Sequence, residues 1–229
     1  MSSLAGKEGV RSNMEMYAEI STKLSSKRSY LVIKRLKDFI GALCGLIVFS
    51  PILLLIALLI KIEDPKGKVV FGHKRLGESG GEFSCLKFRS MFSNAEEMKA
   101  NFTEAQKKEF EETYKLKDDP RITKVGRFIR RTSLDELPQF VNILRGEMSI
   151  VGPRPIVKEE LKYYKGYEEY YFACRPGLTG LWQTSGRSNT SYEERVAFDI
   201  EYAQSRRTGL DIKIIFATIA IVLKREGSY

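Results

Sequence analysis

The pattern of apolar and polar positions changes character several times along this chain, and its longest apolar run comes early. From Ile40 to Ile60 no charged residue interrupts the sequence. At ~1.5 Å per residue, a straight helix of that length just crosses a ~30 Å hydrocarbon core. A buried core helix fits poorly, because few soluble helices stay apolar on every face for so long. A single transmembrane span fits the length, but two features favour another arrangement. Ser50-Pro51 falls in the middle of the run, where proline removes a backbone hydrogen bond and clashes with the preceding turn. Lys34, Arg35 and Lys37 precede the run, and Lys61, Lys66, Lys68, Lys74 and Arg75 follow it, so the positive-inside tendency places both ends on the cytoplasmic face. The expected element is a helix broken at Ser50-Pro51 that enters and leaves by the same side.

After this run the periodicity shortens. Val69–Phe71 and Phe83–Phe88 read as strands around a Gly77–Gly81 turn, a β-hairpin. Residues 92–118 are densely charged and rich in helix formers, which predicts a solvated helix or two without chemistry. Ile156–Tyr171 interleaves tyrosines and lysines as one helix, a face suited to a membrane interface or to an ordinary amphipathic surface. Arg175 to Gln183 and Ser185-Gly186-Arg187 read as glycine- and proline-defined loops, and Ser191–Ala203 as a helix. Ile212–Leu223 is apolar between Asp211 and Lys224-Arg225, short for a span, and is expected to lie on the surface. The prediction is a helix-dominated α/β fold. Residues 1–30 form an accessory segment, with a short helix expected around Met14–Leu24, and 31–62 the membrane helix-break-helix. Residues 63–229 form a cytosolic domain with interfacial helices and a small β-hairpin.

Charge narrows the partners. The net charge of +9 points to anionic ones: phosphates, nucleic acid or an acidic membrane surface. Three widely spaced cysteines, Cys44, Cys85 and Cys174, match neither a disulfide framework nor a zinc knuckle and suit a reducing, cytosol-facing protein. His73 is the single histidine, which excludes chemistry built on several imidazoles. No cleavable signal peptide is expected. Neither G-x-x-x-x-G-K-[ST] nor G-x-G-x-x-G occurs, so a P-loop or Rossmann nucleotide site is unsupported.

The densest chemistry lies between Asp119 and Pro155. Ser133-Leu134-Asp135-Glu136 fits a capping box, with Ser133 as the cap and Glu136 reaching back, ahead of an apolar helical face at Leu137, Phe140, Val141 and Leu144. Acids in a first turn are stabilised by the helix dipole alone, so a purely structural role accounts for them singly. Arg127, Arg130 and Arg131 immediately upstream change the weighing. Adjacent helical residues point roughly 100° apart, so Asp135 and Glu136 can divide the roles of nucleophile and metal ligand. A helix N-terminus and nearby guanidiniums would keep Asp135 ionised. Arginine binds phosphate bidentately, and Mg²⁺ commonly bridges a carboxylate and a diphosphate. Two acids, several arginines and no imidazole suit phosphoryl transfer through an acyl-phosphate better than glycoside hydrolysis.

An ordered series of motifs then resembles the bacterial sugar transferases, the monotopic phosphoglycosyl transferases. It comprises Lys34-Arg35 with Asp38, the break at Ser50-Pro51, Arg75-Leu76-Gly77, Lys87-Phe88-Arg89-Ser90-Met91, Asp119-Pro120-Arg121, Ser133 to Gln139, Val151-Gly152-Pro153-Arg154-Pro155, Arg175 to Gly180 and Ser185-Gly186-Arg187. The resemblance covers roughly residues 30–225. It implies transfer of a hexose-1-phosphate from a UDP-sugar to undecaprenyl (polyprenyl) phosphate with release of UMP, the initiating step of exopolysaccharide, capsule or O-antigen assembly. It implies Asp135 as the nucleophile that carries a covalent phosphosugar and Glu136 as the Mg²⁺ ligand. Lys87, Arg130, Arg187 and Asp211 fall on further active-site positions, with Arg89 and Arg154 as additional phosphate contacts. UDP-glucose or UDP-galactose is the expected donor. The implied location is the bacterial inner membrane, monotopic, with the catalytic domain facing the cytoplasm against membrane lipid; nucleic acid is not an expected partner, and a homodimer is left open. His73 stands near Arg75 where glutamine is expected, and the charged insertion 94–117 is longer than in the smallest members.

Two other readings compete. A non-catalytic basic peripheral protein would bind anionic lipid or nucleic acid and have no use for Asp135. A transmembrane-anchored domain with another enzymatic task would place residues 1–30 on the opposite side of the membrane.

Overall fold

The computed structural model describes residues 28–113, 116–185 and 190–224. The expected helix around Met14–Leu24 and Arg187 lie outside the described residues. Within them the chain forms two compact units, one from 28–48, 72–86 and 139–224 and the other from 49–71 and 87–138.

Helix α1 (Arg28–Glu63) contains the long apolar run. Its most apolar window has a mean hydropathy of 3.0 and is 11% buried, so leucines and isoleucines face outward along most of it. By length and composition it is long enough to cross a bilayer. Helical geometry continues through Pro51, although that residue cannot donate to the carbonyl one turn back. The expected interruption at Ser50-Pro51 is thus a proline inside one continuous helix.

In the first unit, the N-terminal part of α1 is fastened by its polar residues. The Asp38 carboxylate accepts from Ser149 Oγ at 2.8 Å and from the Ile150 amide at 3.0 Å. Arg35 donates to the carbonyls of Ile143 and Leu144 at 2.7 and 2.8 Å, closing the C-terminal end of a helix with a cation as the helix dipole favours. Gly45 is required by close approach: a Cβ there would stand 2.8 Å from the Phe140 ring.

Strands β1 (Val70–Leu76) and β2 (Glu82–Phe88) form the expected hairpin around Gly77–Gly81. At its turn Ser79 and Gly80 adopt positive φ of 61° and 80°. Helix α2 (Glu104–Thr113) belongs to the charged insertion. Helices α3 (Lys124–Arg131) and α4 (Gln139–Arg145) follow, then β3 (Ser149–Val151) and β4 (Gly177–Thr179), paired in parallel with Ser149 opposite Gly177. Helices α5 (Tyr192–Ser205) and α6 (Thr208–Lys224) complete the order. The Ser191 hydroxyl and Glu194 carboxylate form a reciprocal capping box at the start of α5.

The tyrosine-rich stretch departs from the expected single interfacial helix. It forms a 3₁₀ segment (Lys158–Tyr163) and a short helix (Glu168–Phe172) separated by Lys165 and Gly166 at φ of 51° and 96°. Tyr164 and Tyr171 turn inward, their hydroxyls donating to Asp199 and to the Leu76 carbonyl at 2.7 and 2.8 Å. These tyrosines are core with satisfied polar ends rather than a membrane face. Helix α6 instead exposes an apolar stripe, Ile212, Phe216, Ile219 and Val222.

The second unit gathers Ile56, Ile60, Phe88 and Ile129 into one buried cluster, with Val125 and Leu134 packed against it. The charged insertion is not wholly solvated. Phe102 is buried, and the Phe102 and Phe110 rings take the Arg121 guanidinium at 5.2 and 5.0 Å from their centroids.

Candidate active site

The site of the second unit is built where β2 ends and α3 begins to turn back. Alternation along the strand sends Phe88 into the core and Lys87 to the opposite face. Helix α3 starts at Thr123, whose hydroxyl accepts from the Gly126 amide at 2.8 Å. Val125 and Ile129, one turn apart, face the apolar cluster, leaving Arg127, Arg130 and Arg131 for other faces.

The helix ends in a way that displaces the predicted cap. Ser133 is left-handed, φ 56° and ψ 16°, and its amide bonds back to the Arg130 carbonyl at 3.2 Å. It closes α3 rather than opening a new helix, and its side chain makes no capping bond. Leu134–Glu136 is a three-residue 3₁₀ turn, and the next helix, α4, starts only at Gln139, past Pro138. A capping residue needs extended backbone, which Ser133 does not have.

This tight turn packs Leu134 into the core and leaves Asp135 and Glu136 at its rim. Lys87 Nζ donates to Glu136 Oε1 at 2.6 Å and lies 3.9 Å from Asp135 Oδ2. The Asp135 side chain is 14% exposed and that of Glu136 36%, so the two acids differ in environment as well as direction. Burial pushes the Asp135 carboxyl up to about 6; Lys87 opposes the rise, Glu136 adds to it, and Arg130 opposes it. Lys87, Arg130 and a backbone hydrogen bond favour the charged form of Asp135 here, rather than the N-terminus of a long helix. Arg130 is fixed by its Nε donating to Ser90 Oγ at 2.8 Å.

The structure therefore brings Lys87, Arg130, Asp135 and Glu136 into one unit. Arg89 is in the same unit, but its guanidinium is held by the Asp64 carboxylate and, at 2.6 Å, by the Asp64 carbonyl. Arg154 and Asp211 belong to the first unit. Arg154 lies 5.5 Å from the Trp182 ring centroid. The Asp211 carboxylate accepts from Tyr30, Lys34 and Tyr202 at 3.0, 3.2 and 2.9 Å. Sequence reasoning did not single out Ser90 or Asp64. Ser90 lies inside the quoted Lys87–Met91 motif, whereas no local spacing marks Asp64. It also left Asp119-Arg121 without a role; these two form a buried two-pronged ion pair at 2.8 and 2.6 Å.

A divalent cation fits this donor set. No group of three or more His, Cys, Asp or Glu side chains gathers among the described residues, so a cage of protein ligands is absent there. Mg²⁺ commonly takes only one or two carboxylates and completes its shell with water and substrate phosphate. Glu136, one of whose oxygens accepts from Lys87, and the neighbouring Asp135 supply that number.

The chain matches the bacterial sugar transferase family over residues 29–225. It belongs to that family. It is similar to the exopolysaccharide production protein ExoY of Sinorhizobium fredii, 48% identical over 201 residues covering 86% of this chain and 88% of the relative. It is 46% identical to a UDP-galactose-lipid carrier transferase of Erwinia amylovora, over 93% of this chain and 45% of the relative. An undecaprenyl-phosphate galactose phosphotransferase of Salmonella typhimurium is 48% identical over 89% of this chain and 43% of its own length. The chain thus spans less than half the length of these last two relatives. In the second unit the Asp-Glu turn sets two half-buried acids, Asp135 the less exposed, under a shared ammonium.

Proposed function

We propose that this sugar transferase moves a hexose-1-phosphate from a UDP-sugar to undecaprenyl phosphate at the cytoplasmic face of the bacterial inner membrane and releases UMP. The observation that carries the reading is the shared Lys87 between Asp135 and Glu136, with Arg130 fixed nearby. Asp135 is the nucleophile. One of its carboxylate oxygens attacks the sugar-linked phosphorus, the bond from that phosphorus to the bridging oxygen breaks, and UMP leaves with the bridging oxygen and its electron pair. An oxygen of the acceptor phosphate then attacks the same phosphorus, and the aspartyl carboxylate departs unchanged. No oxidant and no net proton is needed. Lys87 and Arg130 compensate the charge that gathers on the phosphoryl oxygens, and a partly dry site strengthens both contributions. Mg²⁺ held by Glu136, with Asp135 adjacent, would neutralise diphosphate charge.

UDP-galactose is one candidate donor, named in one relative and with galactose named in another; UDP-glucose, named in two further relatives, is the other. α1, with its outward leucines, is the membrane element; the basic flanks support placing both ends on the cytoplasmic face, which requires α1 to bend in the bilayer at Pro51, where one backbone hydrogen bond is missing. Purified protein in nanodiscs with UDP-sugar, Mg²⁺ and undecaprenyl phosphate should release UMP. Asp135→Asn should abolish both the release and a trapped phosphosugar adduct on the protein. Normal turnover in that variant would exclude Asp135 as the nucleophile.

A further inference from the structure

The last residue of α1 reaches the first turn of α3. Glu63 Oε1 accepts from the Lys124 amide at 2.7 Å, and Glu63 Oε2 accepts from the Val125 amide at 2.9 Å. A helix start leaves its first amides without intrahelical partners. Here Thr123 Oγ1 takes the Gly126 amide, and the Ser90 carbonyl takes the Thr123 amide at 3.2 Å. Glu63 takes the two that remain. An anionic cap also complements the positive end of the helix dipole. The contact comes from a residue 61 positions away in sequence rather than from a local cap.

The neighbourhood of Glu63 is stiff on both sides. Lys61 Nζ closes the turn after α1 by donating to the Pro65 and Gly67 carbonyls at 2.8 and 3.0 Å. Asp64 holds Arg89 and accepts from the Ser93 amide at 2.6 Å. On the α3 side, Gly126 lies so close to Ser90 that a Cβ would stand 1.9 Å from the Ser90 carbonyl oxygen. Six residues beyond Val125, α3 has delivered Arg130 and ends, and Asp135 follows in the turn.

We infer that Glu63 is a positioning residue that ties the end of the membrane helix to the helix leading into the Asp135 turn, and so fixes the height of Asp135 over the bilayer. This rests on the proposed function, in which one substrate is soluble and the other is embedded in lipid. A water-soluble donor finds Asp135 wherever it stands, whereas an embedded acceptor phosphate is reached only at one height. Releasing α3 from α1 therefore penalises the second half-reaction.

The test uses the full chain in nanodiscs as wild type, Glu63→Ala and Glu63→Gln. Hydrogen exchange is followed at the Lys124 and Val125 amides. UMP release is measured in a single turnover without acceptor, and turnover is measured with undecaprenyl phosphate in the bilayer and with a short-chain, water-soluble polyprenyl phosphate. Losing two capping bonds in Glu63→Ala should speed exchange at both amides and raise KM for the embedded acceptor, each by about tenfold. UMP release and short-chain turnover should stay within about twofold, the scatter of a neutral surface change. Glu63→Gln keeps an acceptor oxygen and should fall between. Unchanged exchange overturns the inference, as does a parallel loss of all three activities, which would mark a general structural role. A wild type that releases no UMP overturns the proposed activity instead, and amide exchange then decides the Glu63 tie alone.

Discussion

Lys87 stands between two carboxylates, 2.6 Å from Glu136 Oε1 and 3.9 Å from Asp135 Oδ2. Its ammonium favours the charged form of Asp135 against the effect of burial. Lys87→Met should lower UMP release by about 10²-fold or more, the cost of removing one fixed donor from a transition state. Lys87→Arg, which keeps the charge with a different shape, should recover part of it. UMP release within twofold of wild type in Lys87→Met would remove Lys87 from the machinery.

Ser90 gives the second prediction. Its hydroxyl receives Arg130 Nε at 2.8 Å, while its backbone carbonyl serves the start of α3 independently of the side chain. Ser90→Ala therefore leaves the helix cap in place and frees the guanidinium. A hydrogen bond to a charged group is worth about 1.5–3 kcal/mol. UMP release should fall by roughly tenfold with a melting temperature near that of wild type, measured by single-turnover kinetics and thermal unfolding of the same preparation.

Asp119 and Arg121 behave differently, because both are buried and already paired. The Asp119 carboxyl lies below its ordinary range: burial alone would raise it, and the hydrogen bonds from Arg121 outweigh that. Asp119→Ala strands a buried guanidinium between the Phe102 and Phe110 rings and should cost about 3–5 kcal/mol. The double change Asp119→Ala with Arg121→Met should be less harmful than Asp119→Ala alone. Chemical denaturation of the four species checks this sign; a double variant that loses the two single costs added together would mean the pair is not coupled.

Much of this architecture is legible in the residues, and the failures have physical causes. The hairpin could be read because Val69–Phe71 and Phe83–Phe88 flank glycines that tolerate a tight turn. The apolar helix could be read because no alternative buries or solvates Ile40–Ile60. The nature of the Asp-Glu turn was hidden: S-x-x-E is the same string whether Ser133 is extended or left-handed, and packing of Leu134 beside Phe88 and Ile129 selects the latter. The tyrosine stretch misled because its period looks helical, whereas Lys165 and Gly166 break it and Asp199 recruits Tyr164 inward. Of the site, Lys87, Arg130, Asp135 and Glu136 were marked by motif, but the supports at Ser90, Asp64 and Glu63 depend on contacts distant in sequence.

Asp199 provides the last prediction, in the first unit. Its carboxyl is buried, accepts the Tyr164 hydroxyl at 2.7 Å and faces Arg154 and Arg195. Burial pushes it from 3.8 up to about 7, more than Tyr164, Arg154 and Arg195 pull it down. The folded state thus holds a proton that the unfolded chain has released, so stability from this group is full below pH 3.8 and declines as pH rises towards about 7. The slope is at most about 1.4 kcal/mol per pH unit and flattens above the folded value. Asp199→Asn keeps an oxygen for the Tyr164 hydroxyl but cannot ionise. Denaturant unfolding at pH 5 and pH 8 should show the wild type losing stability across that interval and the variant losing less, so that Asp199→Asn is the more stable protein at pH 8 by about 1–3 kcal/mol. Equal pH dependence in the two proteins would mean that Asp199 titrates at its ordinary value in the fold, with Arg154 and Arg195 compensating its burial in full.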